Sequence, residues 1–230
     1  MTYYSFLHEE KDVVLHRQIQ KYMIMWKFMK HYALEIYTVI AMLLIVLVAV
    51  CMPELTVIQK FVIVLSFIYI LHEWEEGHYP GGFLNLISQM LQRNIDDETK
   101  RGSRLITGVF LLTMTVVPFF FGDAIPMFVV AMATFSLFEG FIHIFGIRIF
   151  RLKKFYTPGM VTAEIQAVIA IALIVYLAVN HIGEWYDYVC GPFVFLACFA
   201  CMQRTLMAMV GGLHYSDMPK LIKAQLRKKE

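Results

Sequence analysis

Six stretches of the 230-residue chain are apolar over about 20 residues each, the length that crosses about 30 Å of hydrocarbon at 1.5 Å rise per residue. They cover 35–53, 57–76, 104–122, 124–149, 158–180 and 189–213, and each predicts a transmembrane helix. Two further segments carry a helical rhythm without the length to span. Leu15, Ile19, Tyr22, Trp26, Met29 and Ala33 recur at intervals of three and four, with Arg17, Lys21, Lys27 and Lys30 opposite. That pattern suits a basic amphipathic helix on the membrane interface or one packed on a partner. Phe83, Leu84, Leu86, Ile87, Met90 and Leu91 form a second stripe directly after Pro80-Gly81-Gly82, where the chain can turn sharply and lie along the surface. The expected fold is all-α: a polytopic membrane protein with a six-transmembrane-helix bundle over 35–214. It is preceded by an amphipathic N-terminal segment, 1–34, and followed by a basic tail, 215–230. No cleaved signal peptide is expected, because no short apolar region with a small-residue cleavage site lies near residue 20.

Composition agrees with the pattern. The chain is 59% hydrophobic and 17% charged with a mean hydropathy of +0.63, well beyond a soluble domain. A net charge of +2 gives no reason to expect nucleic acid as a partner. The distribution of charge says more than its sum. Of the 20 Lys and Arg, 18 lie before the first span, between spans two and three, between spans four and five, or after span six, counting Arg104 and Arg148 at the span edges. The intervening loops hold almost none, and Asn180–Tyr188 carries Glu184 and Asp187 instead. By the positive-inside rule both termini face the cytoplasm of a multi-pass cell-membrane protein. Cys51, Cys190, Cys198 and Cys201 lie in or beside apolar runs without zinc spacing.

Ionisable side chains inside spans cost a few kcal/mol each on insertion scales, so each needs a reason. Span two ends in Leu71-His72-Glu73-Trp74-Glu75-Glu76-Gly77-His78, where offsets of three and four group His72, Glu75 and Glu76. Glu73 points roughly away from Glu75 and reads as a solvated residue. Span four holds Glu139 and His143 four apart with Gly140 between, span five holds Glu164, and span six holds Gln203-Arg204 and ends at His214. With the topology above, all these groups fall in the cytoplasmic half of the bilayer. Convergence on one site is expected.

Two His with several Glu is the ligand inventory of a centre for one or two divalent ions, zinc or iron. The predicted ligands are His72, Glu75, Glu76, Glu139, His143 and Glu164, with Glu75 and Glu164 as candidate catalytic carboxylates. The bland alternatives are solvated interface residues in span two and a neutralising Glu139–His143 pair. Tyr156-Thr157-Pro158-Gly159 opens span five, and a helix start there offers unpaired amides to a carboxylate or an anionic head group. Tyr156, Arg204 and His214 are candidate substrate-binding residues. For Arg204 an internal pair with Glu164 is the favoured reading, because a lone buried cation would otherwise go uncompensated.

His72-Glu73-Trp74-Glu75-Glu76 resembles the motif that names the HXXEE family of small multi-span membrane proteins. The likeness continues through His143, the basic stretch Arg148–Lys154 and Tyr156-Thr157-Pro158-Gly159-Met160-Val161-Thr162, and covers about residues 60–180. The chain departs from the family's pattern at Glu139, where Asn is common, and at Thr157, where Asn is usual. The resemblance implies a multi-span membrane protein in which these residues belong together, and no particular reaction.

Three functions remain open at this point. A membrane metalloenzyme would act on a lipid or other hydrophobic substrate from the cytoplasmic leaflet. Hydrolysis makes the smaller demand, and a di-iron-type oxidoreductase is the redox variant. A metal-ion or proton transporter would use the same cluster as a transit site, although the outer halves of the spans offer few polar groups to continue a path. A structural scaffold would hold a metal or buried ion pairs without chemistry. Membrane lipids are the expected partners, along with a possible second copy of the chain or another membrane protein.

Overall fold

The structure is a computed structural model that describes residues 3–210 and 215–227. Among the described residues every regular element is helical: α1 Tyr3–His31, α2 Ala33–Cys51, α3 Val57–Gly77, α4 Phe83–Leu91, α5 Asp97–Phe121, α6 Pro126–Ile149, α7 Met160–Val179, α8 Trp185–Met209 and α9 Met218–Arg227. Six of these, α2, α3 and α5 to α8, are long and apolar enough to cross a membrane. The protein is an all-α, six-span membrane protein.

Helix starts account for the main departures from the expected spans. α5 begins at Asp97, well before residue 104, because the Asp96 side chain accepts from the Thr99 amide at 2.8 Å and Asp97 and Glu98 sit in the first turn. Arg104 is therefore about two turns inside the helix and is buried. α8 begins at Trp185, where Glu184 and Asp187 form a reciprocal cap. α7 begins at Met160, so Pro158 precedes it, and Gly159 caps it with φ +95°.

α6 is the central helix, packed against α5, α7 and α8, while α3 packs on α2, α5 and α7. Gly140 lets α6 and α7 approach closely: a Cβ there would stand 3.0 Å from the Ala167 Cβ. Leu65, Val129, Met132, Leu173 and Leu177 fill the middle of the bundle without solvent access. Leu43, Val109, Val168 and Phe193 point outward, as lipid-facing residues do.

The end of the bundle carrying the basic loops also carries α1, α4 and α9. Residues 15–28 of α1 are exposed, apolar and basic alike, and the helix meets the bundle near Gly102 of α5, where Lys30 packs. α4 does more than lie along the surface. Its Met90 and Leu91 join Ile95 and Ile149 in a small second core, with Leu221 and Ile222 of α9 against it. Together α4 and α9 roof a cavity between α5, α6 and α8.

Candidate metal centre

α3 and α6 bring two histidines and two glutamates together at the basic end of the bundle. His72 and Glu76 lie one turn apart on α3, and Glu139 and His143 one turn apart on α6. One ligand atom from each of His72, Glu76 and His143 lies within 4.8 Å of the others, and all three residues are buried. Glu76 Oε1 is 3.7 Å from His72 Nε2 and 3.4 Å from His143 Nε2. Glu139 Oε2 is 3.8 Å from the first nitrogen and 3.7 Å from the second. The imidazole rings stand edge to face with centroids 5.1 Å apart. Four ligands at about 2.0–2.2 Å from one tetrahedral ion stand about 3.3–3.6 Å from one another, and the four nitrogen-to-oxygen separations are close to that.

The far side of each ring decides what the near side can do. His72 Nδ1 lies 3.1 Å from the Gly159 carbonyl, which can only accept, so Nδ1 carries the proton. His143 Nδ1 lies 3.0 Å from Thr157 Oγ1, whose own hydrogen goes to the His143 carbonyl at 3.2 Å, so this Nδ1 donates as well. In the neutral rings both Nε2 atoms then keep lone pairs that face the two carboxylates, and His143 Nε2 is fully buried without a hydrogen-bond partner among the described residues. Lone pairs facing carboxylates repel unless a cation or a proton lies between them. Rings held through Nδ1 so that Nε2 is free form the usual outer support of a metal ligand.

Gly159 presses its backbone against this group. A Cβ at that position would stand 2.6 Å from His143 Cε1, 2.7 Å from Glu76 Cγ and 3.0 Å from His72 Cε1. At φ +95° only glycine is comfortable, so one residue both turns the chain into α7 and closes the wall of the centre.

Glu75 takes another route. Its carboxylate accepts from the Val161 amide at 3.2 Å, the Thr162 amide at 2.9 Å, Thr162 Oγ1 at 2.6 Å and the Tyr156 hydroxyl at 2.9 Å. The start of α7 does hold a carboxylate, and it is the protein's own. Loss of hydration, and then the bond to Glu75, raise the Tyr156 phenol above its usual pKa and keep it a donor. Thr162 Oγ1 is also 3.0 Å from His72 Nδ1, so Glu75 supports that ring through one hydroxyl.

Arg104, and not Arg204, compensates the remaining charge. Its Nη1 is 2.6 Å from Glu73 Oε2 and 3.2 Å from Glu76 Oε2, and Thr107 donates to Glu73 at 3.3 Å. Glu73, expected to be solvated, is buried in this ion pair. The signal was available: a basic residue at a span's edge and an acidic one at the end of another span satisfy each other.

Of the six predicted ligands, the structure brings four together: His72, Glu76, Glu139 and His143. Glu75 supports them from outside the group, and Glu164 lies apart on α7. Glu164 Oε1 faces Gly140 and is buried without a hydrogen-bond partner among the described residues. Tyr156 is at the edge, bound to Glu75. Arg204 is exposed on α8 and does not pair with Glu164; the cavity-lining residue beside it is Gln203. His214 lies outside the described residues.

No curated protein and no solved structure matches the chain. A family profile does: the one described as "Protein of unknown function with HXXEE motif" matches residues 63–177, half of the chain, from within α3 to near the end of α7. The matched stretch contains every member of the centre and of its support, so the chain belongs to the HXXEE-motif family.

Proposed function

We propose that the protein is a membrane-embedded metallohydrolase in which His72, His143 and Glu76 hold one divalent zinc or iron ion and Glu139 is the fourth ligand or the general base. The observation that carries this is the convergence of two imidazole Nε2 atoms and two carboxylate oxygens on one point inside the bundle. Charge supports a single ion. With Glu73, Glu76 and Glu139 ionised, three negative charges stand against the one positive charge of Arg104, so one divalent cation would make the group neutral, while Glu75 is met separately by the amides of α7.

A zinc ion in such a site lowers the pKa of bound water to about 7, which makes hydroxide available for ester or amide hydrolysis. Glu139 faces both imidazoles and lines a cavity of about 440 Å³, so its carboxylate is placed to take the water's proton. The cavity falls in the usual range for small-molecule sites, about 300–1,000 Å³. Its walls are mainly apolar, including Phe110, Phe138, Phe199 and Leu206, which suits a lipid or other hydrophobic substrate. With the basic loops inside, that substrate enters from the cytoplasmic leaflet of the cell membrane. Reporters fused at Glu230 and within Asn180–Tyr188 should give opposite signals, and equal signals would refute that orientation.

Two His and one carboxylate also make the iron site of oxygenases, so metal identity separates hydrolysis from redox chemistry. Transport is the weaker reading, because Leu65, Met132, Leu173 and Leu177 fill the bundle beyond the centre. The test of the chemistry is Glu139→Gln against a panel of acyl esters and amides. Turnover should fall by about 10²–10⁴ while bound metal is retained. A variant as fast as the wild-type protein would remove Glu139 as the base.

A further inference from the structure

Resting on that reading, we infer that the substrate is a single-chain amphiphile, with its chain in the apolar cavity, its polar head in a second cavity, and the bond that joins them beside Glu76. The second cavity, about 320 Å³, opens at the basic end of the bundle and is lined by His31, Glu35, His78, Asp97, Lys100 and Arg101. Its charges come in both signs: Lys100 pairs with Asp97 at 3.2 Å and His78 stands 3.9 Å from Glu35, while Arg101 donates to the His31 ring at 2.9 Å. Such a wall offers hydrogen bonds to a polar or zwitterionic head without a net field.

The two cavities share Glu76, Leu84, Lys100 and Arg104. A metal-ligand carboxylate therefore stands where an apolar space meets a polar one, the place at which an amphiphile's head joins its chain. The apolar cavity follows α5 from Thr99 to Leu111, which at 1.5 Å per residue is about 18 Å. That length, with a volume of about 440 Å³, suits one hydrocarbon chain. Its inner end is closed by the aromatic rings of Phe110, Phe135, Phe138 and Phe199, which pack on one another. The reaction balances with water alone. Water adds to the carbonyl carbon at the junction, the carbon–oxygen or carbon–nitrogen bond to the head breaks, the departing head takes a proton from that water, and the chain leaves as a fatty acid.

The test uses the full-length protein in nanodiscs and a lysophosphatidylcholine with a photoactivatable diazirine near the end of its chain. After illumination, adducts mapped by mass spectrometry should fall on Phe110, Phe138 or Phe199. Unlabelled lysophosphatidylcholine should suppress them at least tenfold, and a two-chain phosphatidylcholine should not. Met202→Trp, which narrows the cavity, should reduce them similarly at unchanged metal content. Adducts confined to outward residues such as Phe193, or equal suppression by the two-chain lipid, would overturn the inference. Metal-loaded protein without inner adducts refutes this inference alone, whereas inner adducts on a protein that binds no metal refute the metalloenzyme reading and leave the amphiphile site standing.

Discussion

At the scale of single residues, the centre depends as much on what lies behind each imidazole as on the ligands. Thr157 gives its hydrogen to the His143 carbonyl and so can only accept from His143 Nδ1. Thr157→Val removes that acceptor while keeping the shape, and leaves a buried N–H unsatisfied. Metal affinity, measured by competition with a chelator, should fall about 10–100-fold, and Thr157→Ser should restore most of it. Equal affinity in all three proteins would mean that the ring is held by packing alone. His72, Glu76, Glu139 and His143 were legible in the sequence because one-turn spacing on two apolar helices leaves few other partners. The role of Glu75 was not. Around an α-helix Glu75 and Glu76 lie about 100° apart, so only one of them can share the face that His72 turns toward α6. Which one does so depends on where α7 begins.

At the scale of helices, beginnings matter more than lengths. The six apolar stretches and the helix at Phe83–Leu91 could be read directly. The start of α5 could not, since Asp97 to Ser103 is too polar to resemble a span, and only the Asp96 cap extends the helix back over it. That extension carries Arg104 into the bundle and explains why Glu73 is buried. The start of α7 was legible as an anion-binding helix end, but its occupant was not, because Glu75 reaches it from a helix 86 positions earlier in the chain at Val161. Glu75→Ala should destabilise the protein by about 1–2 kcal/mol, the usual cost of losing a cap and its helix-dipole contact. It should also weaken metal binding through Thr162 and His72. A thermal melt in detergent, with and without added metal, checks both effects; a melting temperature equal to that of the wild-type protein would show that the α7 start needs no cap.

At the scale of the whole molecule, six spans surround the His/Glu group and two cavities that adjoin it. The outward faces are apolar and the middle of the bundle is filled, so the buried charges other than the capping Asp187 lie at the end that carries the basic loops. A scaffold would need no such group, because small residues such as Gly140 and single polar contacts already hold helices together in lipid. Glu73, Glu76 and Glu139 stand against a single arginine, so the group needs a further cation or bound protons, and the facing atoms of His72, Glu76, Glu139 and His143 are where the proposed ion would sit. The direct test is the metal content of the purified, full-length protein prepared under metal-replete conditions. Elemental analysis should find about one equivalent of zinc or iron per chain, with His72→Ala and His143→Ala reduced at least tenfold at unchanged helical content by circular dichroism. A wild-type protein without metal, or alanine variants that retain it in full, would contradict the account.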